Sequence, residues 1–151
     1  MIRICVFVCI AVSACVLACT NPASAITSDE EANIAIVKQC FADAGAGGWR
    51  LALENVVTAD VVLQWLKTEI GDVEETVTGK EAALTSIDNL EKALADLPEA
   101  KNQYEYFADG ATVIVLAEQT GTDVMTDKPY LIHWACFVTL TEGKISSIRV
   151  F

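Results

Sequence analysis

Residues 130–151 read YLIHWACFVTLTEGKISSIRVF. From Tyr130 to Leu140 both alternating sets are apolar, so this run predicts a long strand whose two faces both need cover. Glu142-Gly143 predicts a turn, and Ile145 to Phe151 a strand that folds back on the first. Upstream, Tyr104 to Phe107 and Thr112 to Gln119 predict two more strands, joined by the hairpin signal Asp109-Gly110. The polar stretch Thr120 to Lys128 predicts a loop.

The first half of the chain has helical spacing. Ala83, Ile87, Leu90, Leu94 and Leu97 recur at four-three-four-three intervals. Thr78-Gly79-Lys80-Glu81 predicts a capping box before them, and Pro98 a stop after them. Before that helix, Thr68 to Val77 is acidic, lacks a period and predicts a loop, while Val61 to Leu66 predicts a strand. Trp49, Leu53, Val56 and Val57 predict a short helix. Ile36, Val37, Cys40, Phe41 and Ala44 form the stripe of a longer one, capped by Ser28 with Glu31 and ended by Gly45 to Gly48. The order is helix, helix, strand, helix, then four strands, which is an α+β layer arrangement. Three helices cover one sheet face. The other predicts either contact with a second copy, a homodimer, or an exposed apolar patch.

Residues 1–25 stand apart. Ile4 to Ser28 carries no charge, only Arg3 precedes it, and the apolar run Ile4 to Cys19 is 16 residues long. That is short of the roughly 20 residues a membrane-spanning helix needs. A basic start, an apolar run and small residues predict an export signal, with Ala23-Ser24-Ala25 as a cleavage site. Val16-Leu17-Ala18-Cys19 resembles a bacterial lipobox, as does Val12-Ser13-Ala14-Cys15, so lipidation at Cys19, or at Cys15, is the alternative fate. An uncleaved anchor is the third. The expected organisation is a signal at 1–25 and one domain at 26–151, exported to the periplasm, the medium or a membrane surface.

Without residues 1–25 the chain keeps 9 basic and 21 acidic residues, a formal charge of −12. Such a surface repels phosphate backbones and anionic headgroups, which argues against nucleic acid and leaves a lipid anchor as the route to a membrane. Four of the six cysteines lie in the leader. With one histidine and scattered acids, no metal-ligand spacing is present, and no phosphate loop, dinucleotide fingerprint or nucleophile elbow points to a cofactor.

Three local patterns carry a resemblance over roughly Glu30 to Phe151. Ala44-Gly45-Ala46-Gly47-Gly48-Trp49 is followed by Leu53 and Ala59-Asp60. Ala108-Asp109-Gly110 is followed by Val113 and Val115. Phe137 to Leu140 is followed by Glu142-Gly143-Lys144-Ile145 and Arg149-Val150-Phe151. In this order and spacing the chain resembles the SnoaL-like branch of the nuclear transport factor 2-like superfamily. The resemblance implies a cone-shaped fold, with three helices packed on a curved, mostly antiparallel sheet. The superfamily includes isomerases, cyclases, hydrolases, dehydratases and adaptors, so function has to be read residue by residue.

The ketosteroid isomerase site needs a carboxylate base and two oxyanion donors. Carried over, these positions fall on Trp65, near Cys40, and on Cys136 (or Ala135 in the ungapped alignment). None of the three can do that chemistry, so isomerase activity is not expected. The resemblance implies instead that Cys40 and Cys136 are neighbours, either as a disulfide stiffening the cavity or as two separate buried thiols. His133, with Glu118, is the candidate proton-transfer pair for a SnoaL-type enzyme. Its side depends on the strand: if Cys136 points inward, His133 points outward, and if Ala135 points inward, so does His133. Glu118 is otherwise a partner for Arg149. Phe41, Trp65, Ile87 and Trp134, with Cys40 and Cys136, are expected to line an apolar cavity suited to holding a small hydrophobic molecule. Plain core filling is the alternative for the aromatic side chains. A third reading is an adaptor that binds another protein through its outer sheet face.

Overall fold

The first helix, α1 (Ser28–Gly47), shows how local signals and tertiary contacts share the work. Its N-cap is Thr27, one residue before the expected Ser28. The capping box is reciprocal: Glu30 N donates to Thr27 Oγ1 at 3.2 Å, and Thr27 N donates to Glu30 Oε2 at 2.8 Å. Thr27 with Glu30 and Ser28 with Glu31 both satisfy the motif, and a long-range bond separates them. The other oxygen of Glu30 accepts from Gly110 N at 2.9 Å, and Asn33 Nδ2 donates to Gly110 O at 3.2 Å. The helix start is thereby fastened to the turn after the third strand. Its end is Gly48, at φ 92°, a conformation that disfavours any residue with a Cβ.

The computed structural model describes residues 26–65, 76–94, 100–123 and 126–151. The leader, with Cys15, Cys19 and Ala25, lies outside the described residues, as do most of the acidic stretch and Pro98. After α1 come α2 (Trp49–Glu54), β1 (Val57–Trp65), β2 (Thr76–Thr78), α3 (Lys80–Leu94), β3 (Lys101–Asp109), β4 (Thr112–Asp123), β5 (Lys128–Thr141) and β6 (Lys144–Val150). The strands form one curved sheet in the order β2-β1-β6-β5-β4-β3. Among the described strands the β1–β6 pair is parallel and the other pairs are antiparallel.

Several boundaries differ from the sequence-based expectation. Thr78 lies in β2, so it does not cap α3. Gly79 takes that place, its carbonyl accepting from Ala83 N at 2.9 Å. β1 starts at Val57 rather than Val61, because its first turn docks on β6: Ile145 N donates to Val56 O at 2.7 Å. The expected loop Thr120 to Lys128 is mostly strand. β4 and β5 stay paired out to Asp123 opposite Lys128, because ladder bonds run through the backbone and do not ask for apolar side chains. Gly121 belongs to this extension. A Cβ there would lie 2.6 Å from the Tyr130 hydroxyl, so the missing side chain lets Tyr130 lie across its partner strand.

The helices cover one sheet face. Val37, Phe41 and Ala44 of α1, Leu53 of α2 and Ala83, Leu84 and Ile87 of α3 are buried against Val61 and Leu63 of β1, Val113 and Val115 of β4, and Val138 and Leu140 of β5. Alternation places Tyr104, Tyr106, Ala117, Trp134 and Cys136 on this concave side as well. Phe107, Leu116, Leu131 and Phe151 are exposed large hydrophobic residues, and the strand registers and the stacking of Phe151 on Phe137 put all four on the convex side. No described helix is long and apolar enough to cross a membrane.

Candidate ligand site

Phe41 stands at the centre of an aromatic cluster on the concave face. Its ring meets Trp49 at 4.8 Å and Tyr104 at 5.1 Å, both edge-on, then Tyr106 at 6.1 Å and Trp134 at 6.4 Å. Tyr104 and Trp134 also meet edge-on at 6.0 Å. These are the separations and angles at which ring quadrupoles attract. Phe41 is buried, whereas Trp49, Tyr104, Tyr106 and Trp134 are only half-buried although they face the helices. The concave side is therefore open along these rings. Toward the far end of the β4–β5 hairpin, on the same side, Ile132 is exposed.

Each strand contributes by its period. Tyr104 and Tyr106 are two apart on β3 and so share a face; across β4, Ala117 lies opposite both Tyr104 and Trp134. That small residue leaves room for Phe41 to come down between the two rings. Trp65 ends β1 half-buried, its Nε1 donating to Ser86 Oγ at 3.2 Å on α3. Ile87, Cys40 and Cys136 are buried. Of the residues expected to line a cavity, the structure gathers Phe41 and Trp134 into the cluster, with Cys40 close by. Trp49, Tyr104 and Tyr106 were not on that list, although the Tyr-Glu-Tyr alternation of residues 104–106 is the signal that marks the pair.

The titratable groups here are held neutral. Burial, reinforced by Asp43, pushes the Cys40 thiol up to about 12. Burial, reinforced by Cys40, does the same for Cys136, to about 12. Burial also raises Tyr104, and raises Tyr106 to about 12 with smaller contributions from Tyr104 and Cys40. Cys40 thus lies within electrostatic reach of Cys136 and of Tyr106, and Tyr106 within reach of Tyr104. Both cysteines are free thiols in this structure. Cys40 Sγ is turned toward the Ala52 carbonyl, 3.9 Å away on α2.

Neutral thiols are poor nucleophiles. Neither cysteine should react with iodoacetamide at pH 8 in the native protein, and both should react once urea unfolds it. Peptide mass mapping reads this, and a pair that stays unreactive after unfolding until reductant is added would mean a bond had formed. The folded values lie above the ordinary 9.0. The thiols therefore contribute stability fully below about pH 9, and that contribution is lost as pH rises toward about 12.

His133 and Glu118 are directly opposed across β4 and β5. They lie on the convex side, and His133 is exposed. The reason is the strand period. Cys136 is buried on the concave side, so the residue three positions before it points the other way. The pair therefore faces away from the helices. Arg149 does not reach Glu118 either. It lies opposite Phe137, with its guanidinium 5.6 Å from that ring. Among the described residues no charged or polar side chain is buried, and no group of His, Cys, Asp or Glu could hold a metal ion.

No protein-family model matches this sequence, and no curated protein matches it either. Solved structures do. One, from Jannaschia sp. CCS1 and proposed to be a SnoaL-like polyketide cyclase, superposes with a TM-score of 0.64 at 20% identity, over 83% of this chain and 88% of that one. An NTF2-like protein from Burkholderia xenovorans LB400 gives 0.61 at 22%, over 84% and 92%. The chain has the nuclear transport factor 2-like fold. TerC, co-crystallised with polyporic acid, gives 0.63 at 14%, over 80% and 90%. At these identities the likeness speaks for the fold. Within the nuclear transport factor 2-like fold, the aromatic cluster occupies the concave side.

Proposed function

We propose that this is an exported domain that holds a small hydrophobic molecule against its concave aromatic wall and does not transform it. The carrying observation is the pairing of five clustered rings, four of them half-buried, with a concave side whose only buried titratable groups are two neutral thiols among the described residues. Burial supplies affinity there, and general acid-base catalysis would need a proton carrier within hydrogen-bonding reach of the ligand. TerC was crystallised with polyporic acid, a small organic molecule, which is in keeping with a binding role for the fold. The leader supports export, by cleavage at Ala25 or lipidation at Cys19, and the exposed apolar convex face supports a homodimer.

The test is a titration of the purified protein with N-phenyl-1-naphthylamine, a neutral apolar dye. Saturable dye fluorescence with matching quenching of Trp49 and Trp134 is the expected result. Native mass spectrometry of the same preparation should show a co-purified mass in part of the sample. Absence of both signals would sink the reading.

A further inference from the structure

Among the described residues, one cation touches the aromatic wall. Lys38 projects from α1, and its Nζ lies 5.3 Å from the centroid of the Tyr106 ring. Three residues later on the same helix, Phe41 enters the cluster, so Lys38 and Phe41 share a helix side. On β3, Tyr104 and Tyr106 point their rings to the same wall, with centroids 6.3 Å apart. Neither hydroxyl makes a hydrogen bond among the described residues. Two half-buried phenols without partners and an ammonium group therefore stand along one side of an otherwise apolar surface. Neither hydroxyl oxygen is sealed from solvent, so each can exchange a water for a ligand oxygen.

From this arrangement we infer that the ligand is a flat hydrophobic molecule bearing an anionic oxygen head, a carboxylate or an enolate. Its body would lie on Phe41 and Trp134 and its head against Lys38 and the Tyr104 and Tyr106 hydroxyls. The inference rests on the binding role proposed above and adds the charge of the ligand. The surroundings sharpen it. The chain as a whole carries a formal charge of −11, so the long-range field opposes an anion, and any preference for one has to come from local groups. Among the other charged groups nearby, Asp43 already accepts from Gln39 Nε2 at 2.7 Å, Arg50 is paired with Asp88 at 2.6 Å, and Glu105 lies on the convex side. A charge-assisted bond from an ammonium and two phenol donors is the recognition chemistry that remains for an oxyanion. A ligand cation would meet Lys38 as a like charge on the same ring.

Tyr104 and Tyr106 stay protonated because burial raises both, so they remain donors throughout the neutral range.

The experiment compares 2-naphthoate with 2-naphthamide, which match in shape and differ in charge, by calorimetry on the full protein. Naphthoate should bind about three- to tenfold more tightly, as expected for a partly exposed charged contact. Lys38→Gln should bring that ratio close to one, and the Tyr104→Phe, Tyr106→Phe double variant should lower it. Lys144→Gln, on the first residue of β6 beyond the site, should keep it. Circular dichroism melts establish that each variant is folded. If naphthamide binds as well as naphthoate, or if Lys38→Gln leaves the ratio unchanged, the charge inference is overturned while the binding role stands. If neither compound binds and the neutral dye does not bind either, both fall together.

Discussion

Phe41→Ala should destabilise the domain by about 3–5 kcal/mol, at the upper end of single-residue effects in cores. The ring is buried and touches four other rings, from α2, β3 and β5. Removing it deletes a large apolar surface and leaves a gap whose walls are themselves held in place. Trp49 is fixed by its backbone amide, which donates to Glu91 Oε1 at 2.7 Å. Tyr104 and Trp134 are fixed by strand positions on either side of Ala117. None of the three can slide far inward, so little of the cavity cost is recovered by relaxation. For a domain whose total stability is about 5–15 kcal/mol, a loss of this size is a large share. Urea unfolding followed by tryptophan fluorescence checks it: the midpoint should fall with the slope unchanged. A loss below about 1.5 kcal/mol would mean that the rings collapse into the space and that the cluster is looser than its geometry implies. Neutral-dye binding should weaken as well, since Phe41 is the floor on which the exposed rings rest.

The same cluster shows what the sequence could and could not carry. The α+β order and the stripe of α1 are legible, because period and burial are local properties of a segment. Phe41 is legible as a core residue for that reason. Its four ring partners come from 8 to 93 positions away, and no local pattern records which of several rings they will meet. The capping box at the start of α1 has two equally good local solutions, and Gly110, 80 residues on from Glu30, selects one. The hairpin extension beyond Thr120 is invisible to an apolar count because backbone pairing and Gly121 sustain it. The side on which His133 lies follows from Cys136 once any residue of β5 is placed. From sequence alone the strand is apolar on both sets, so neither set declares itself. Lys38 was unremarkable until the fold laid it across Tyr106. Even so, its i, i+3 spacing from Phe41 is a signal that can be read in advance.

If the convex face joins two copies, as proposed, Leu116→Asp should separate them. The convex sheet face exposes Phe107, Leu116, Leu131 and Phe151, each 42–56% accessible, on β3, β4, β5 and at the chain end beyond β6. Between them, Phe151 stacks edge-on against Phe137 at 5.2 Å, with Arg149 over the other ring. Adjacent strands lie about 4.8 Å apart, and Phe107, Ile114, Phe137, Leu116, Ala135 and Phe151 occupy two neighbouring rows of the ladder, so they make one patch, with Leu131 set apart from it beyond the Glu118–His133 pair. Scattered single hydrophobics are ordinary on any surface, whereas a continuous patch of this width marks an interaction face. The partner proposed for this face is a second copy. Its patch is the same and so is self-complementary under twofold symmetry, and each substitution is then counted twice. Leu116 sits at the middle, opposite Ala135 on one side and Glu105 on the other. An aspartate there would place two unpaired carboxylates in the interface, at a combined cost of about 3 kcal/mol or more, which raises the dimer dissociation constant about a hundredfold or more. Sedimentation equilibrium across a concentration series reads this directly. Leu51→Asp is the control: Leu51 is more exposed than any of the four but lies on α2, away from the sheet face, and its substitution should leave the dimer intact. A wild-type protein that stays monomeric at high micromolar concentration would remove the second copy as the partner of this face and leave a different protein in its place. A Leu116→Asp variant that still dimerises would move the interface elsewhere on the surface.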